Sequence, residues 1–293
     1  MVSDSKQVSD LSRTPSGAAP TVGEALRSST EQLAATGSES PRLDAELLLA
    51  HALGVRRSEL YAHGDRPLEP PELDEVRALV ARRASREPLQ YILGEWGFRR
   101  LTLTVDRRAL IPRPETEVVV ERCLALLEGL EAPRVLDVGT GSGAIALAIA
   151  DEHRGARVTG VDASTEALAL ARENATRTGL ALELARHDLF DGLPGGPWDL
   201  VVSNPPYVDP DDRSTLQPEV RDWEPEEALF GREAAATVAQ GAVPVLADGG
   251  ALVLEVGDGQ AEETARLLSA LGYADVRATP DLAGRDRVVE GRR

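Results

Sequence analysis

From Arg134 onward the chain alternates short apolar runs of β type with helix-length stretches, and this alternation restricts its fold more than any other feature. Arg134 to Val138, Val158 to Val161, Ala181 to Leu184, Leu200 to Ser203 and Ala251 to Val256 read as strands. Helical patterns over 164–178, 232–246 and 260–271 separate several of them. A strand followed by a helical crossover returns the chain to the side from which the strand began, so such strands run parallel. Their near-continuous apolar character fits a sheet covered on both faces. Two further candidates, around Asp275 to Ala278 and Arg287 to Glu290, lie close enough to pair as an antiparallel edge. The fold class is α/β.

The first third reads differently. Residues 1–20 are rich in Ser, Thr and Asp and poor in large apolar side chains, so burial cannot offset the entropy of ordering them, and a disordered tail is expected. Thr21 with Glu24 three positions later is a capping box, opening a helix through Leu26 and Leu33 to Gly37. A second helix runs from Pro41 to Gly54, and others cover 58–62 and 71–85. The expected organisation is therefore a helical domain over 21–88, a hairpin linker over 89–108, with β-type runs at Tyr91 to Leu93 and Leu101 to Thr104, and a catalytic domain over 109–293. A length of 293 residues suits two domains.

Charge and composition narrow the function. Lys and Arg number 32 against 49 Asp and Glu, a net −17 that repels a phosphate backbone. Tight nucleic-acid binding is disfavoured. The single cysteine, Cys123, allows no internal disulfide, and four scattered histidines have no metal-ligand spacing, so no metal is expected and a reducing cytoplasm fits best. No stretch reaches the roughly 18 apolar residues of a membrane span, and no signal peptide opens the chain.

The chemistry concentrates at strand ends. Gly139-Thr140-Gly141-Ser142-Gly143 stands where a buried strand hands over to a helix, which lets the backbone turn sharply and approach a ligand. Asp137, two positions before the first glycine, would oppose a phosphate but suit a ligand carrying an amino group and positive charge. The loop resembles motif I of S-adenosylmethionine-dependent methyltransferases. Asp162 ends the next strand, 19 residues after Gly143, where a carboxylate can accept from both ribose hydroxyls; the competing reading is a helix cap. Asp188 and Leu189 follow the third strand region, where that resemblance implies contacts to the adenine ring. Their alternative is a solvated turn.

The fourth strand runs into Asn204-Pro205-Pro206-Tyr207. The prolines fix their own φ and restrict the residues before them, holding the Asn204 side chain and the Pro205 carbonyl as acceptors for a planar NH2 group. Tyr207 can stack on its flat face. A plain proline-rich turn is the alternative.

Longer segments extend the resemblance. Arg42 to Leu48 (RLDAELL), Arg86 to Gly94 (REPLQYILG), Leu110 to Glu117 (LIPRPETE) and Val220 to Pro225 (VRDWEP) resemble the HemK/PrmC family, the N5-glutamine methyltransferases of bacterial peptide chain release factors. The resemblance covers roughly residues 21–293, with Leu189 standing where an aromatic also occurs. It implies a class I, Rossmann-like fold with a mainly parallel seven-stranded sheet and a small helical N-terminal domain that recognises the protein substrate. It further implies methyl transfer from S-adenosyl-L-methionine to the glutamine of a Gly-Gly-Gln motif, yielding S-adenosyl-L-homocysteine. Arg113 or Glu115 would help close the site, and Arg77, Arg82, Arg83 and Arg86 form either a solvated helix face or a partner contact. The other readings are methylation of a planar amine in nucleic acid, methylation of another protein glutamine, and a non-catalytic cofactor sensor.

Overall fold

A computed structural model describes residues 19–293, which divide into two units at Leu93 and Gly94. The first unit is helical: α1 (Val22–Ala35), α2 (Pro41–Leu53), α3 (Arg57–Ala62), α4 (Pro70–Ala84) and α5 (Leu89–Leu93). Thr21 caps α1 as its spacing predicts, its hydroxyl accepting from the Glu24 N–H while Glu24 accepts from the Thr21 N–H. Gly54, in the left-handed conformation, stops α2. Leu26, Leu33, Leu48, Leu49, Val76 and Val80 fill the core between helices. The expected tail lies outside the described residues except for Ala19 and Pro20, and the Pro20 carbonyl accepts from the Leu68 N–H at 2.9 Å.

All four arginines singled out in the sequence are engaged within this unit, Arg77 with Asp74 at 3.7 Å on the face of α4. Arg83 pairs with Asp44 at 2.7 Å in the interior, and Arg82 makes two hydrogen bonds to Glu87. Arg86 donates to the carbonyls of Thr36 and Gly37, the orphan acceptors at the end of α1. These three hold helices together.

The expected hairpin is corrected. Tyr91 to Leu93 is helical, and Leu101 to Thr104 pairs instead with Glu95 to Phe98. Three consecutive apolar residues carry no periodicity that separates strand from helix, and here Leu89 and Ile92 bury against the helical core rather than pairing with backbone. Residues 89–93 thus belong to the first unit and the hairpin to the second.

The second unit contains β1 (Glu95–Phe98), β2 (Leu101–Thr104), α6 (Thr116–Leu127), β3 (Arg134–Val138), α7 (Ala144–Glu152), β4 (Arg157–Asp162), α8 (Thr165–Thr178), β5 (Glu183–Arg186), β6 (Trp198–Ser203), α9 (Pro218–Arg221), α10 (Glu226–Leu229), α11 (Ala234–Ala242), β7 (Leu246–Glu255), α12 (Ala261–Ala270), β8 (Ala274–Pro280) and β9 (Asp286–Arg292). Seven strands form one sheet in the order β5-β4-β3-β6-β7-β9-β8, with β3 to β7 parallel and β9 antiparallel to both its neighbours. The expected antiparallel pair forms, with β9 inside the sheet and β8 at its edge. β5 starts two residues later than its sequence pattern suggests.

Side chains alternate across this sheet. Val135, Leu200, Val202 and Val253 pack with α6 and α7, while Leu136, Val201, Leu252 and Leu254 pack with α11 and α12. Both faces are therefore covered and dry, which leaves the strand ends as the place for a polar site.

Asn174 of α8 ties the hairpin to that end of the sheet. Fully buried, it accepts from the Thr104 N–H at 2.7 Å and donates to the carbonyls of Thr104 and Ser142. Asn174→Ala would strand these backbone groups, each costing about 1 to 3 kcal/mol when buried and unpaired. Urea unfolding should show a loss of roughly 2 to 4 kcal/mol, and a loss below about 0.5 kcal/mol would contradict this account.

Candidate active site

The three glycines after β3 are needed for their backbone conformation: φ is +72° at Gly139, +55° at Gly141 and +82° at Gly143. L residues with a Cβ rarely adopt such values. The turn they make is pinned from two sides. The amides of Gly139 and Thr140 donate to the Val161 carbonyl, and the Thr140 hydroxyl donates to Asp137 at 2.7 Å. Gly160 of β4, which the sequence reading passed over, completes the fit: a Cβ there would stand 2.8 Å from the Thr140 hydroxyl oxygen.

Asp162 performs more than the capping alternative requires. Its two oxygens accept from the N–H groups of Gly141 and Ser164, both at 2.9 Å, while the Ser164 hydroxyl caps α8 by accepting from Ala167. Asp162 therefore fixes the glycine loop against the end of β4. Burial pushes its carboxyl above the ordinary aspartate range, opposed by the backbone donors. Asp188 accepts from the Phe190 N–H and opens a single turn of tight helix over Leu189–Asp191.

These strand ends surround a cavity of about 390 Å³. Gly139, Thr140, Gly141 and Ser142 line it on the β3 side and Asp162, Asp188 and Leu189 beyond, with Asn204 and Pro206 from the end of β6. Gly143, Pro205 and Tyr207 do not line it. Gly143 instead allows α7 to start against α8, where an added Cβ would stand 3.3 Å from the Ala171 Cβ and the Leu147 Cδ1. Pro205 is buried, and the Tyr207 carbonyl accepts from Gln260, which also accepts from the Gly257 N–H. The Tyr207 ring lies beside Gly257, where an added Cβ would stand 3.0 Å from its Cδ2. Phe190 and Phe230, not anticipated, join the lining.

Arg113 lines the cavity as well, paired with the buried Glu224. Burial raises the Glu224 carboxyl and the Arg113 charge lowers it. Beside it the Arg107 guanidinium lies 4.3 Å from the centre of the Trp223 ring. The two contacts hold Val220 to Pro225 against residues 107–113. Glu115 is exposed and outside the lining.

At the Asn204 end, the side-chain amide nitrogen donates to the Thr116 hydroxyl at 3.4 Å, and that hydroxyl donates to Glu255 at 2.7 Å. Glu255 ends the apolar strand β7 with 1% exposure, and burial pushes its carboxyl up to about 7. Sequence reasoning missed Thr116 and Glu255, although one carboxylate closing the run Ala251-Leu252-Val253-Leu254 was a visible signal.

The donor set fits S-adenosyl-L-methionine. Gly139 faces the cavity where an added Cβ would meet no protein atom within 4 Å, leaving room for close approach to the loop backbone. Asp162, Asp188 and Glu227 supply negative charge along the lining, suited to a ligand with an ammonium and a sulfonium. Fold and site together define a class I S-adenosylmethionine-dependent methyltransferase. Residues 24–94 match the PrmC N-terminal domain and residues 120–218 the methyltransferase small domain. A release factor glutamine methyltransferase of Geobacter sulfurreducens is 47% identical over 264 residues, 89% of this chain and 92% of that protein. One from Deinococcus radiodurans is 44% identical over 273 residues, covering 92% and 97%. The hMettl16 catalytic domain, solved with an RNA hairpin, superposes with a TM-score of 0.55 at 15% identity, over 73% of this chain and 81% of that one, a likeness of fold alone. The chain belongs to the release factor glutamine methyltransferase family.

Asp137 offers a test of the loop's electrostatics. Burial raises its carboxyl to about 7, so in the fold it prefers the neutral form. The stability this group contributes is full below the ordinary aspartate pKa and is lost as pH rises through about 7. Asp137→Asn cannot ionise, so between pH 5 and 8 its unfolding free energy should gain on that of the wild type by roughly 2 to 4 kcal/mol. Parallel pH profiles would show that Asp137 is ionised in the fold at little cost.

Proposed function

We propose that this protein transfers the methyl group of S-adenosyl-L-methionine to the side-chain nitrogen N5 of the glutamine in the Gly-Gly-Gln motif of peptide chain release factors, in the cytoplasm. The observation that carries the reading is Asn204, which follows β6 at the cavity with its amide nitrogen already donated to Thr116. Its oxygen is left as an acceptor for a planar NH2. Bound in the cavity, S-adenosyl-L-methionine supplies an electrophilic methyl group on a positively charged sulfur.

The loop from Gly139 to Gly143 and the Asp162 carboxylate hold the donor, Asp162 toward the ribose hydroxyls, with Asp188 and Leu189 at the adenine. Asn204 and the Pro205 carbonyl accept the two N–H groups of the glutamine amide. Pro206 shapes the turn, and Tyr207 packs beside the entering side chain. An amide nitrogen is a weak nucleophile because its lone pair is delocalised into the carbonyl. Hydrogen bonds accepted from its NH2 orient it and raise its electron density, an electrostatic contribution that needs no base before the bond forms. The nitrogen's proton becomes acidic only as the methyl group joins it.

The helical unit, residues 19–93, is the natural site for recognising the protein substrate, and it matches a family domain found in proteins named for release factors. A net charge of −17 disfavours the nucleic-acid reading. Asn204→Ala removes one preorganised acceptor, so single-turnover methylation of an intact release factor should fall about 10² to 10³-fold. Cofactor affinity measured by calorimetry should change within about threefold. An unchanged rate, or a loss matched by weaker cofactor binding, would contradict the assignment.

A further inference from the structure

A carboxamide has two faces. Its oxygen accepts, its NH2 donates, and a half-turn about the last side-chain bond exchanges them with little change in shape. Only the accepting face suits an incoming glutamine NH2, so Asn204 must be held one way round.

The chain of contacts behind Asn204 supplies that control. The Thr116 hydroxyl has one proton, and an ionised Glu255 carboxylate, 2.7 Å away, can only accept it. Thr116 can then only accept from Asn204, and the 3.4 Å contact is made by the Asn204 nitrogen. The flipped amide would set two acceptor oxygens against each other and leave the NH2 toward the substrate. Building on the Asn204 assignment above, we propose that Thr116 and Glu255 are positioning residues that fix the direction of a hydrogen-bond chain and thereby keep the Asn204 oxygen turned to the substrate amide.

The placement of Glu255 supports a directional role. Burying a carboxylate after four apolar strand residues is costly unless it is paired, and an apolar residue would continue β7 without that cost. The charged and titratable groups around it are Arg113 and Glu115 at the start of α6, Arg287 of β9 and Tyr207 after β6. Burial opposes the ionised form most and Glu115 adds to it, the Thr116 hydrogen bond, Arg287 and Arg113 favour it, and the balance lies at about 7. Once protonated, Glu255 can donate to Thr116, which frees the Thr116 proton for the Asn204 oxygen and lets the chain reverse. The orientation is thus held above about pH 7 and released below it.

Single-turnover methylation of an intact release factor from pH 6 to 8.5, with saturating S-adenosyl-L-methionine, tests this on wild type, Thr116→Val, Thr116→Ser, Glu255→Gln and Asn204→Ala. Valine keeps the shape of threonine and removes the hydroxyl. It should slow the step about tenfold to a hundredfold at pH 8, with KM for the release factor and cofactor affinity within about threefold. Serine, which keeps the hydroxyl, should restore the rate to within about threefold. The wild-type rate should rise through about pH 7, and that limb should vanish in Glu255→Gln, whose side chain still accepts but does not ionise. A wild-type rate in Thr116→Val, equal losses in valine and serine, or a limb that survives in Glu255→Gln would overturn the proposal. Should Thr116→Val fail to fold, the Glu255→Gln profile decides alone. Slow Asn204→Ala with normal Thr116→Val rejects positioning only, whereas normal Asn204→Ala rejects the assignment beneath it.

Discussion

In a parallel sheet every strand ends on the same side, and here the register of β3 with β4 and β6 sets Val138 level with Val161 and Ser203. Everything chemical in the second unit depends on that alignment. The residues that follow these three positions are the glycine loop, Asp162 and Asn204, far apart in the chain and brought to one cavity by backbone pairing. Ser203 reinforces the register where it matters, its buried hydroxyl donating to the Val138 carbonyl at 2.7 Å. Loops at the carboxyl ends of such strands inherit the rigidity of the sheet, so polar groups there can be aimed without being buried in its core.

The cavity wall is built at an electrostatic cost. Asp137, Glu224 and Glu255 are all nearly inaccessible, and burial raises each carboxyl. Each also holds a group that shapes the site: Asp137 the Thr140 hydroxyl, Glu224 the Arg113 guanidinium, Glu255 the Thr116 hydroxyl. A protein that spends stability in this way gains fixed dipoles around a reacting centre, which do not have to reorganise as charge moves from sulfur to nitrogen. The first unit uses its buried pair differently, Arg83 with Asp44 locking helices together.

Much of this was legible beforehand, and the reasons are local. Strand and helix periodicities announced the α/β alternation, and the glycine spacing announced a turn that only positive φ could make. Asp162 and Asn204 were marked by standing at the ends of apolar runs. What stayed hidden depended on distance. The run Tyr91-Ile92-Leu93 gave no period to read, so its helical conformation was settled by packing against residues some forty positions away. Thr116 meets Glu255 across 139 positions, and Gly160 is required only because β4 passes beside Thr140. The Tyr207 backbone is likewise held from a distance, its carbonyl accepting from Gln260, 53 residues later.

The central claim is that a glutamine side-chain nitrogen receives the methyl group. Its most direct test is tandem mass spectrometry of a release factor incubated with the protein and S-adenosyl-L-methionine labelled in the methyl carbon. The account predicts one labelled methyl group on the side-chain nitrogen of the glutamine in the Gly-Gly-Gln motif. Label at any other position of the release factor, or none on it while an added nucleic acid becomes labelled, would contradict it.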